Sequence, residues 1–267
     1  MPRPKIDVSL TSISSRMGTI CETLQSILDQ DYDGELQLHL HLSPEPYLLD
    51  AGVPTLPRAL QALKRRAGER LQIHEGPNFG PYRKLLPYLH RNWGLSKLVV
   101  TADDDTIYPA DWLRGLVDAY LTYGCVIASR GHRIIVKDNK IAPYRSWMGT
   151  RIDENPSHFI LPTGKDGILY NTAFFPIGVL NIEEALKLAP TADDLWFRWH
   201  LAASGVQTFI LNMDYRSSTF VETDYESSLY LNFNRGGAND VAIASLETHF
   251  EESFGFTLGA ISAGEPA

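Results

Sequence analysis

The hydrophobic positions in the first hundred residues follow two alternating patterns. Four short segments have the continuous or every-second-residue apolar pattern of strands, namely residues 6–13, 36–42, 71–76 and 97–101. Between them apolar residues recur at spacings of three and four, as Ile20, Leu24 and Ile27 do, which predicts amphipathic helices. Strands that alternate with helices in this way predict an α/β fold built on an open, mainly parallel sheet.

Residues that start and stop helices support this assignment. Thr19 followed by Glu22 fits a capping box, in which the two side chains satisfy free backbone N–H groups of the first helical turn. A helix is predicted over residues 109–123, and Gly124 follows it as a stop residue. Another is predicted over residues 55–70.

The second half of the chain has a less regular pattern. We expect a strand over residues 125–136 and irregular structure over 137–166. Asn181 and Glu184 predict the start of a short helix. The remaining expected elements are strands over 167–175 and 207–212 and helices over 191–205 and 239–254.

Composition narrows the class of protein. With 267 residues and 44% hydrophobic side chains, the chain has enough apolar surface for one large core. Its net charge of −8 argues against a general nucleic-acid binder, and its two cysteines do not make a disulfide framework. No signal-like or membrane-spanning apolar run is present, because spans need roughly 18 such residues. We therefore expect a soluble, cytoplasmic protein with no nucleic-acid partner.

One helix has a strongly basic face. Residues 55–70 carry five cations against a single acid, and the cations are Arg58, Lys64, Arg65, Arg66 and Arg70. A solvated helix face explains this pattern, and a peripheral contact with an anionic membrane surface is the alternative.

The strongest chemical signal is a run of three carboxylates, Asp103, Asp104 and Asp105, directly after the strand at 97–101. Adjacent carboxylates repel one another unless cations or hydrogen-bond donors compensate them. Oxygen ligands of this kind suit Mn²⁺ or Mg²⁺, which bridge nucleotide phosphates. An acidic loop before the next helix is the structural alternative. An EF-hand is excluded, because Ile107 and Tyr108 stand at its fifth and sixth positions.

Other motifs are absent or give a weaker match. The chain contains no G-x-G-x-x-G after its first strand, no P-loop, no G-x-S-x-G and no H-E-x-x-H. A haloacid-dehalogenase-like phosphatase would use aspartates after a strand, with Asp193 and Asp194 as distal metal ligands. In that family the nucleophile strand comes early in the chain, whereas Asp103 follows three strand-and-helix units.

The motifs in their order resemble nucleotide-sugar glycosyltransferases of the GT-A fold. The similarity is to bacterial family-two-like enzymes and, more distantly, to exostosin-like transferases. It covers roughly residues 6 to 215 and rests on VSLTSISSRMGTICETLQSILDQ, GPYRKLLPYL, VVTADDDTIYPADWL, PTGKDGILY and TADDLWFRWHLAASGV. The resemblance implies a Rossmann-like open mixed sheet flanked by helices, with a GT-A domain over residues 1–217 and a helical extension over 218–267 packed on it.

The resemblance also implies a donor site. Asp103 and Asp105 match the acids that hold the metal and the donor diphosphate, and Asp104 would contact ribose or the donor sugar. The other matching donor-site residues are Thr11, Ser12 and Arg16 near the base and ribose, Gly80 for close backbone approach, and Lys84 for phosphate or ribose. Many members have an aspartate after the second strand, where this chain has LSPEP, so the identity of the base stays open.

On the acceptor side, Asp194 is the expected general base and Asp193 a positioning contact, and the two roles are interchangeable on the sequence alone. A local explanation competes, because Thr191 and Asp194 have the spacing of a capping box. The glycines of the PTGKDGILY segment and one tryptophan are candidates for the sugar pocket, namely Gly164, Gly167 and Trp196. His249 is a candidate for a further metal ligand, because some GT-A enzymes use a histidine near the end of the chain to bind the metal.

These residues together predict a metal-dependent hexosyl- or N-acetylhexosaminyltransferase. It would transfer a sugar from a nucleoside-diphosphate donor, with UDP expected, to a hydroxyl of a glycan or lipid-linked acceptor, and with inversion. The alternatives are a retaining exostosin-like transferase, a phosphatase of the class above, and a sugar-nucleotide-binding protein without turnover.

Overall fold

A computed structural model describes residues 3–218 and 232–263. Its strands are β1 (Ile6–Thr11), β2 (Leu36–Leu42), β3 (Leu71–Glu75), β4 (Leu98–Thr101), β5 (Val126–Ala128), β6 (Gly131–Arg133), β7 (Val136–Lys137), β8 (Lys140–Ile141), β9 (Ile160–Pro162), β10 (Ile168–Asn171) and β11 (Thr208–Ile210). Seven of them form one sheet in the order β11-β5-β10-β4-β1-β2-β3. Only β10 runs antiparallel to its neighbours in this sheet, so the expected open mixed α/β sheet is confirmed.

Helices cover both faces of the sheet. They are α1 (Ile20–Leu28), α2 (Arg58–Ala67), α3 (Leu86–Arg91), α4 (Trp112–Tyr123), α5 (Ile182–Leu188), α6 (Asp193–Ala203) and α7 (Ala238–Phe254). Successive strand residues point to opposite faces. Accordingly, Val100 of β4 packs in the core shared with α1, α2 and α4, and Val99 packs in the core shared with α3, α5, α6 and α7.

Two buried polar residues interrupt the apolar pattern of β1. Asp7 accepts a hydrogen bond from the Tyr88 hydroxyl of α3, and Ser9 Oγ donates to the backbone oxygen of Lys84 at 2.6 Å. Both bonds tie the segment from Gly80 to α3 onto the face of the central strand. A polar residue inside a strand here serves to position the neighbouring layer.

The helix boundaries agree with the sequence patterns in several places. Gly124 ends α4 in the left-handed conformation, with φ of 62°. The Asn181 side chain accepts a hydrogen bond from the backbone N–H of Glu184 at 3.2 Å, as predicted for a helix start. Helix α7 ends at Phe254, as predicted, and Gly255 follows it in the left-handed conformation.

Two local predictions were wrong. Thr19 makes no side-chain cap, because a 3-10 turn at Ser14–Arg16 leads directly into α1 and the Thr19 hydroxyl donates to the Arg16 carbonyl instead. The expected single strand over residues 125–136 is divided, because the chain leaves the large sheet after Ala128. The chain then forms β6, which pairs with β9. Strand β9 lies within residues 137–166, for which the sequence predicts irregular structure.

The helix near the end of the chain packs against the main body. Leu246 and Phe250 of α7 are fully buried in the core that α6 also lines, and Trp199 Nε1 donates to Glu247 at 2.9 Å. Among the described residues, no helix is both long enough and apolar enough to cross a membrane.

We expect the folded chain to lose stability as the pH falls below about 6.5. Burial and the nearby Arg91 lower the pKa of His41 to about 2. Burial and the nearby His249 lower the pKa of His200 to about 3. Both imidazoles are therefore neutral in the fold, and acid protonates the unfolded chain first. Each can contribute a loss of up to about 1.4 kcal/mol per pH unit.

Urea unfolding at a series of pH values tests this. The variant His200→Leu should flatten the decline between pH 6.5 and pH 5, whereas the same measurement on His90→Gln should match the wild type, because His90 is exposed in the fold. An unchanged decline in His200→Leu would contradict the assignment.

Candidate functional site

The candidate site lies where the two central parallel strands end. Strands β1 and β4 are neighbours, with Ser9 opposite Thr101, and the Ala102 N–H extends the ladder by donating to the Ser9 carbonyl. Because both strands run in the same direction, the residues after them emerge at the same edge of the sheet. This edge is where open α/β sheets bind their ligands.

Side chains that follow β1 compensate the middle of the acidic run. Ser12 Oγ donates to Asp104 Oδ2 at 2.5 Å, and the Arg16 guanidinium pairs with Asp104 Oδ1 and lies 3.5 Å from Asp105 Oδ2. Thr23 of α1 also donates to the Asp104 backbone oxygen at 3.1 Å. These contacts with Asp104 stabilise the loop after β4, whereas Asp103 and Asp105 have fewer polar partners.

Asp103 faces a lysine. Its Oδ1 lies 3.9 Å from Lys84 Nζ, and the same ammonium lies 3.5 Å from Asp193 Oδ2. Burial raises the pKa of Asp103 and that of Asp105, and the nearby cations offset this only in part. The charged form of both carboxyls is therefore disfavoured unless a further cation binds beside them.

The second acidic pair opens α6 on the other side of Lys84. Asp194 Oδ2 accepts a hydrogen bond from the Gly164 N–H at 2.8 Å. Burial, together with the adjacent Asp193, raises the pKa of Asp194, and Lys84 offsets part of this rise. The capping-box alternative is wrong, because the Thr191 hydroxyl donates to Asn234 Oδ1 at 2.6 Å and α6 has no side-chain cap.

A cavity of about 220 Å³ lies at the ends of β1 and β4, and we call it the donor cavity. All eight residues that the sequence assigned to donor binding line it: Thr11, Ser12, Arg16, Gly80, Lys84, Asp103, Asp104 and Asp105. Gly80 has a φ of 57°, and a Cβ there would lie only 3.0 Å from the Leu48 side chain at the cavity rim. A glycine at this position therefore keeps the rim closely packed.

A second cavity of about 480 Å³ adjoins the first, and we call it the acceptor cavity. Asp193, Asp194 and Gly164 line it, together with His132 and Asn239. The residues that line both cavities are Pro81, Lys84 and Asp103. The fold therefore brings the two separate acidic motifs to neighbouring cavities with a lysine between them.

Three sequence candidates lie elsewhere. Trp196 is 1% exposed and its indole N–H donates to the Val179 carbonyl, so it is a core residue and cannot stack on a sugar. Gly167 does not line either cavity, and its φ of 105° and close approach to the Trp112 ring explain the glycine. His249 lies beside Glu184 of α5, 3.6 Å from Oε1, so it is not a ligand at the acidic run.

Sequence reasoning missed a buried ion pair at the rim of the donor cavity. Arg83 Nη2 donates to Asp50 Oδ2 at 2.9 Å, and both side chains are 2% exposed. Asp50 Oδ1 accepts from the N–H groups of Ser14 and Gly52, so its carboxylate shapes the loop that follows β2. No local pattern could have paired residues from two loops, although the unusual LSPEP segment marked this loop as different.

The acidic run has a donor set that suits a divalent cation. Asp103 and Asp105 both line the donor cavity, and burial raises the pKa of each despite the cations nearby. Within residues 3–218 and 232–263, no three His, Cys, Asp or Glu side chains come together as a metal site. Mg²⁺ commonly takes only one or two protein carboxylates and completes its shell with phosphates and water, so the residues fit such an ion.

Comparisons with known proteins identify the fold. No protein-family model and no curated protein matches the sequence. Among solved structures, the chain is similar to a 4-diphosphocytidyl-2C-methyl-D-erythritol synthase from Anaerococcus prevotii, with 13% identity, 87% of this chain and 99% of that chain covered, and a TM-score of 0.50. It is also similar to S. aureus TarS, residues 1–349, in complex with UDP-GlcNAc, with 14% identity, 92% and 73% coverage, and a TM-score of 0.50.

These identities are low, and the likeness establishes the fold. The chain has the GT-A-like, Rossmann-like α/β fold that its sequence motifs predicted.

We expect Arg16→Met to lower the free energy of unfolding by about 1–3 kcal/mol, because it leaves the buried Asp104 carboxylate without its cation. Denaturant unfolding in chelator-containing buffer measures this. Arg133→Met is the matched control, since Arg133 and its partner Asp153 are 43% and 58% exposed and such pairs contribute less than about 1 kcal/mol. Equal losses in the two variants would contradict the structural role of Arg16.

Proposed function

We propose that the protein is a GT-A-type glycosyltransferase that moves a sugar from a UDP-linked donor to a hydroxyl of a glycan or lipid-linked acceptor. The observation that supports this most strongly is the position of Lys84 and Asp103 between the two cavities. A nucleoside diphosphate bound in the donor cavity would present its sugar beside Asp193 and Asp194. Donor and acceptor would then meet where proton transfer is needed.

The donor cavity suits a nucleoside diphosphate through its polar edges. Ser12 and Arg16 follow β1 and would face the ribose, and Lys84 would contact a phosphate. Mn²⁺ or Mg²⁺ on Asp103 and Asp105 would neutralise the charge that develops on the leaving diphosphate. The ammonium of Lys84 stays protonated despite burial, because Asp193 and Asp194 raise its pKa.

Asp194 is the proposed general base. The acceptor oxygen would bond to the anomeric carbon as the bond from that carbon to the diphosphate oxygen breaks, and the acceptor proton would pass to the Asp194 carboxylate. A raised pKa suits a group that takes a proton near neutral pH. The geometry of a single displacement inverts the anomeric centre, and determination of the product anomer by NMR separates this from the retaining alternative.

Nucleotidyl transfer is a second candidate, because a synthase of a diphosphocytidyl compound shares the fold. The charge of the donor cavity disfavours it. Four carboxylates line this cavity against three cations, and these residues are Asp50, Asp103, Asp104, Asp105, Arg16, Arg83 and Lys84. A triphosphate would need more positive charge than a diphosphate. Release of pyrophosphate from CTP or UTP, with no release of UDP from UDP-GlcNAc, would establish this second function instead.

Asp194→Asn should reduce transfer from UDP-GlcNAc by about 10² to 10⁴-fold, because the amide cannot take the acceptor proton. UDP binding should stay unchanged, since Asp194 lines only the acceptor cavity. Release of UDP and calorimetric binding of UDP measure the two effects. A smaller loss in Asp194→Asn than in Asp193→Asn would reverse the roles of the pair.

The pH dependence gives an independent test. Transfer should fall on the acid side at a pH above the value of roughly 4 that is typical of an aspartate, because the base must be ionised. Since Asp193 contributes to the raised pKa of Asp194, Asp193→Asn should move this acid limb to lower pH. A rate profile in which Asp193→Asn leaves the limb in place would count against Asp194 as the base.

For the metal, we expect UDP with Mn²⁺ to raise the melting temperature and a chelator to abolish the rise. Asp103→Asn should reduce the rise even when Mn²⁺ is present. If UDP stabilises the protein equally with chelator, Asp103 and Asp105 are not ligands. Robust hydrolysis of simple phosphate esters that Asp103→Asn abolishes would favour the phosphatase alternative, and metal-dependent UDP binding without any turnover would favour the binding protein.

A further inference from the structure

Within the described residues, Asn239 Oδ1 is a buried polar atom of the acceptor cavity that has no hydrogen-bond partner. Asn239 lies in the first turn of α7, is 5% exposed, and lines the cavity that contains Asp193 and Asp194. Among the described residues nothing donates a hydrogen bond to its Oδ1. An unpaired buried carbonyl oxygen costs free energy, so it is uncommon unless a water or a ligand completes it.

The segment around Asn239 is fastened to two walls of the same cavity. Asn234 accepts a hydrogen bond from the Thr191 hydroxyl at 2.6 Å and donates from Nδ2 to the Thr191 carbonyl at 3.2 Å. Asp240 accepts from the Tyr144 N–H at 2.7 Å. The two bonds to Thr191 fix the segment to the loop before α6, and the bond to Asp240 fixes it to Tyr144, which also lines the cavity.

These contacts hold Asn239 in a defined place relative to the acidic pair. Asn234 lines the cavity as well, so two amide residues of this segment belong to the same cavity as Asp194. Oδ1 accepts hydrogen bonds and therefore selects a ligand group that donates one. The hydroxyls of a sugar are such groups, and pockets of several hundred Å³ with a few placed polar groups bind small molecules.

We propose that Asn234 and Asn239 belong to the acceptor subsite and that Asn239 Oδ1 accepts a hydrogen bond from a hydroxyl of the acceptor sugar. Asn239 is then a specificity-determining residue for a hydroxyl-bearing sugar acceptor. The proposal rests on the transferase function above, because it assigns the acceptor side of that same site.

Binding of simple glycosides tests the proposal without knowledge of the natural acceptor. The probes are the methyl glycosides of glucose, galactose, mannose and N-acetylglucosamine, each titrated by ligand-detected NMR into protein that holds UDP and Mg²⁺. At least one should bind the wild type, and its Kd should rise by about tenfold or more in Asn239→Leu, which removes the acceptor atom. Thr248→Leu places the same side chain at an exposed position of α7 and should bind as the wild type does.

Two further measurements separate the possible failures. Retained UDP affinity in Asn239→Leu shows that the variant is folded, so a selective loss of glycoside binding supports the proposal. If no glycoside binds a wild type that binds UDP, or if Asn239→Leu binds glycosides as well as the wild type, the proposal is overturned. If the wild type binds a glycoside but not UDP, the donor half of the transferase function fails, while the Asn239 variant still decides the role of this residue.

Discussion

The site depends on the repulsion between three adjacent carboxylates at the end of a central strand, which the surrounding residues must offset. Asp103, Asp104 and Asp105 emerge together from β4, and their mutual repulsion must be offset within the fold. Arg16 and Lys84 supply the positive charge from opposite sides, one after β1 and one before α3. The offset is incomplete, since the pKa values of Asp103 and Asp105 remain raised.

The surrounding structure serves to place these two cations. Ser9 lies inside β1 and holds the Lys84 backbone against the sheet, while the Tyr108 hydroxyl accepts from the Asp103 N–H at 2.8 Å and orients the start of the acidic run. Both contacts are made by polar side chains in otherwise apolar surroundings. The polar exceptions within the core are therefore not defects of the hydrophobic pattern, because each one fixes a segment of the site.

The antiparallel strand β10 explains how the second acidic pair reaches the first. It lies beside β4 and runs against it, so the loop that precedes β10 arrives at the same edge of the sheet where β4 ends. That loop carries Gly164, whose N–H binds Asp194 and whose missing side chain leaves room for Lys84, since a Cβ would lie 2.3 Å from Nζ. A purely parallel arrangement would have placed this loop at the opposite edge. The mixed sheet is thus part of the site and not a variation on the fold.

The sequence by itself determined the central strands, most of the helices and the residues that gather at the ends of β1 and β4. Periodic apolar residues predicted the central strands and helices. The eight predicted donor-site residues line one cavity, and six of them lie at the ends of β1 and β4, while Gly80 and Lys84 come from the segment after β3. Only the tertiary structure decided the rest. The sequence motifs made Trp196 and Gly167 candidates for the sugar pocket, yet packing in the core accounts for both residues. The ion pair between Asp50 and Arg83 joins residues 33 positions apart, and the hydrogen bond between Thr191 and Asn234 joins residues 43 positions apart. Contacts between distant loops leave no periodic trace in a sequence, since they depend on how the layers pack and not on local spacing.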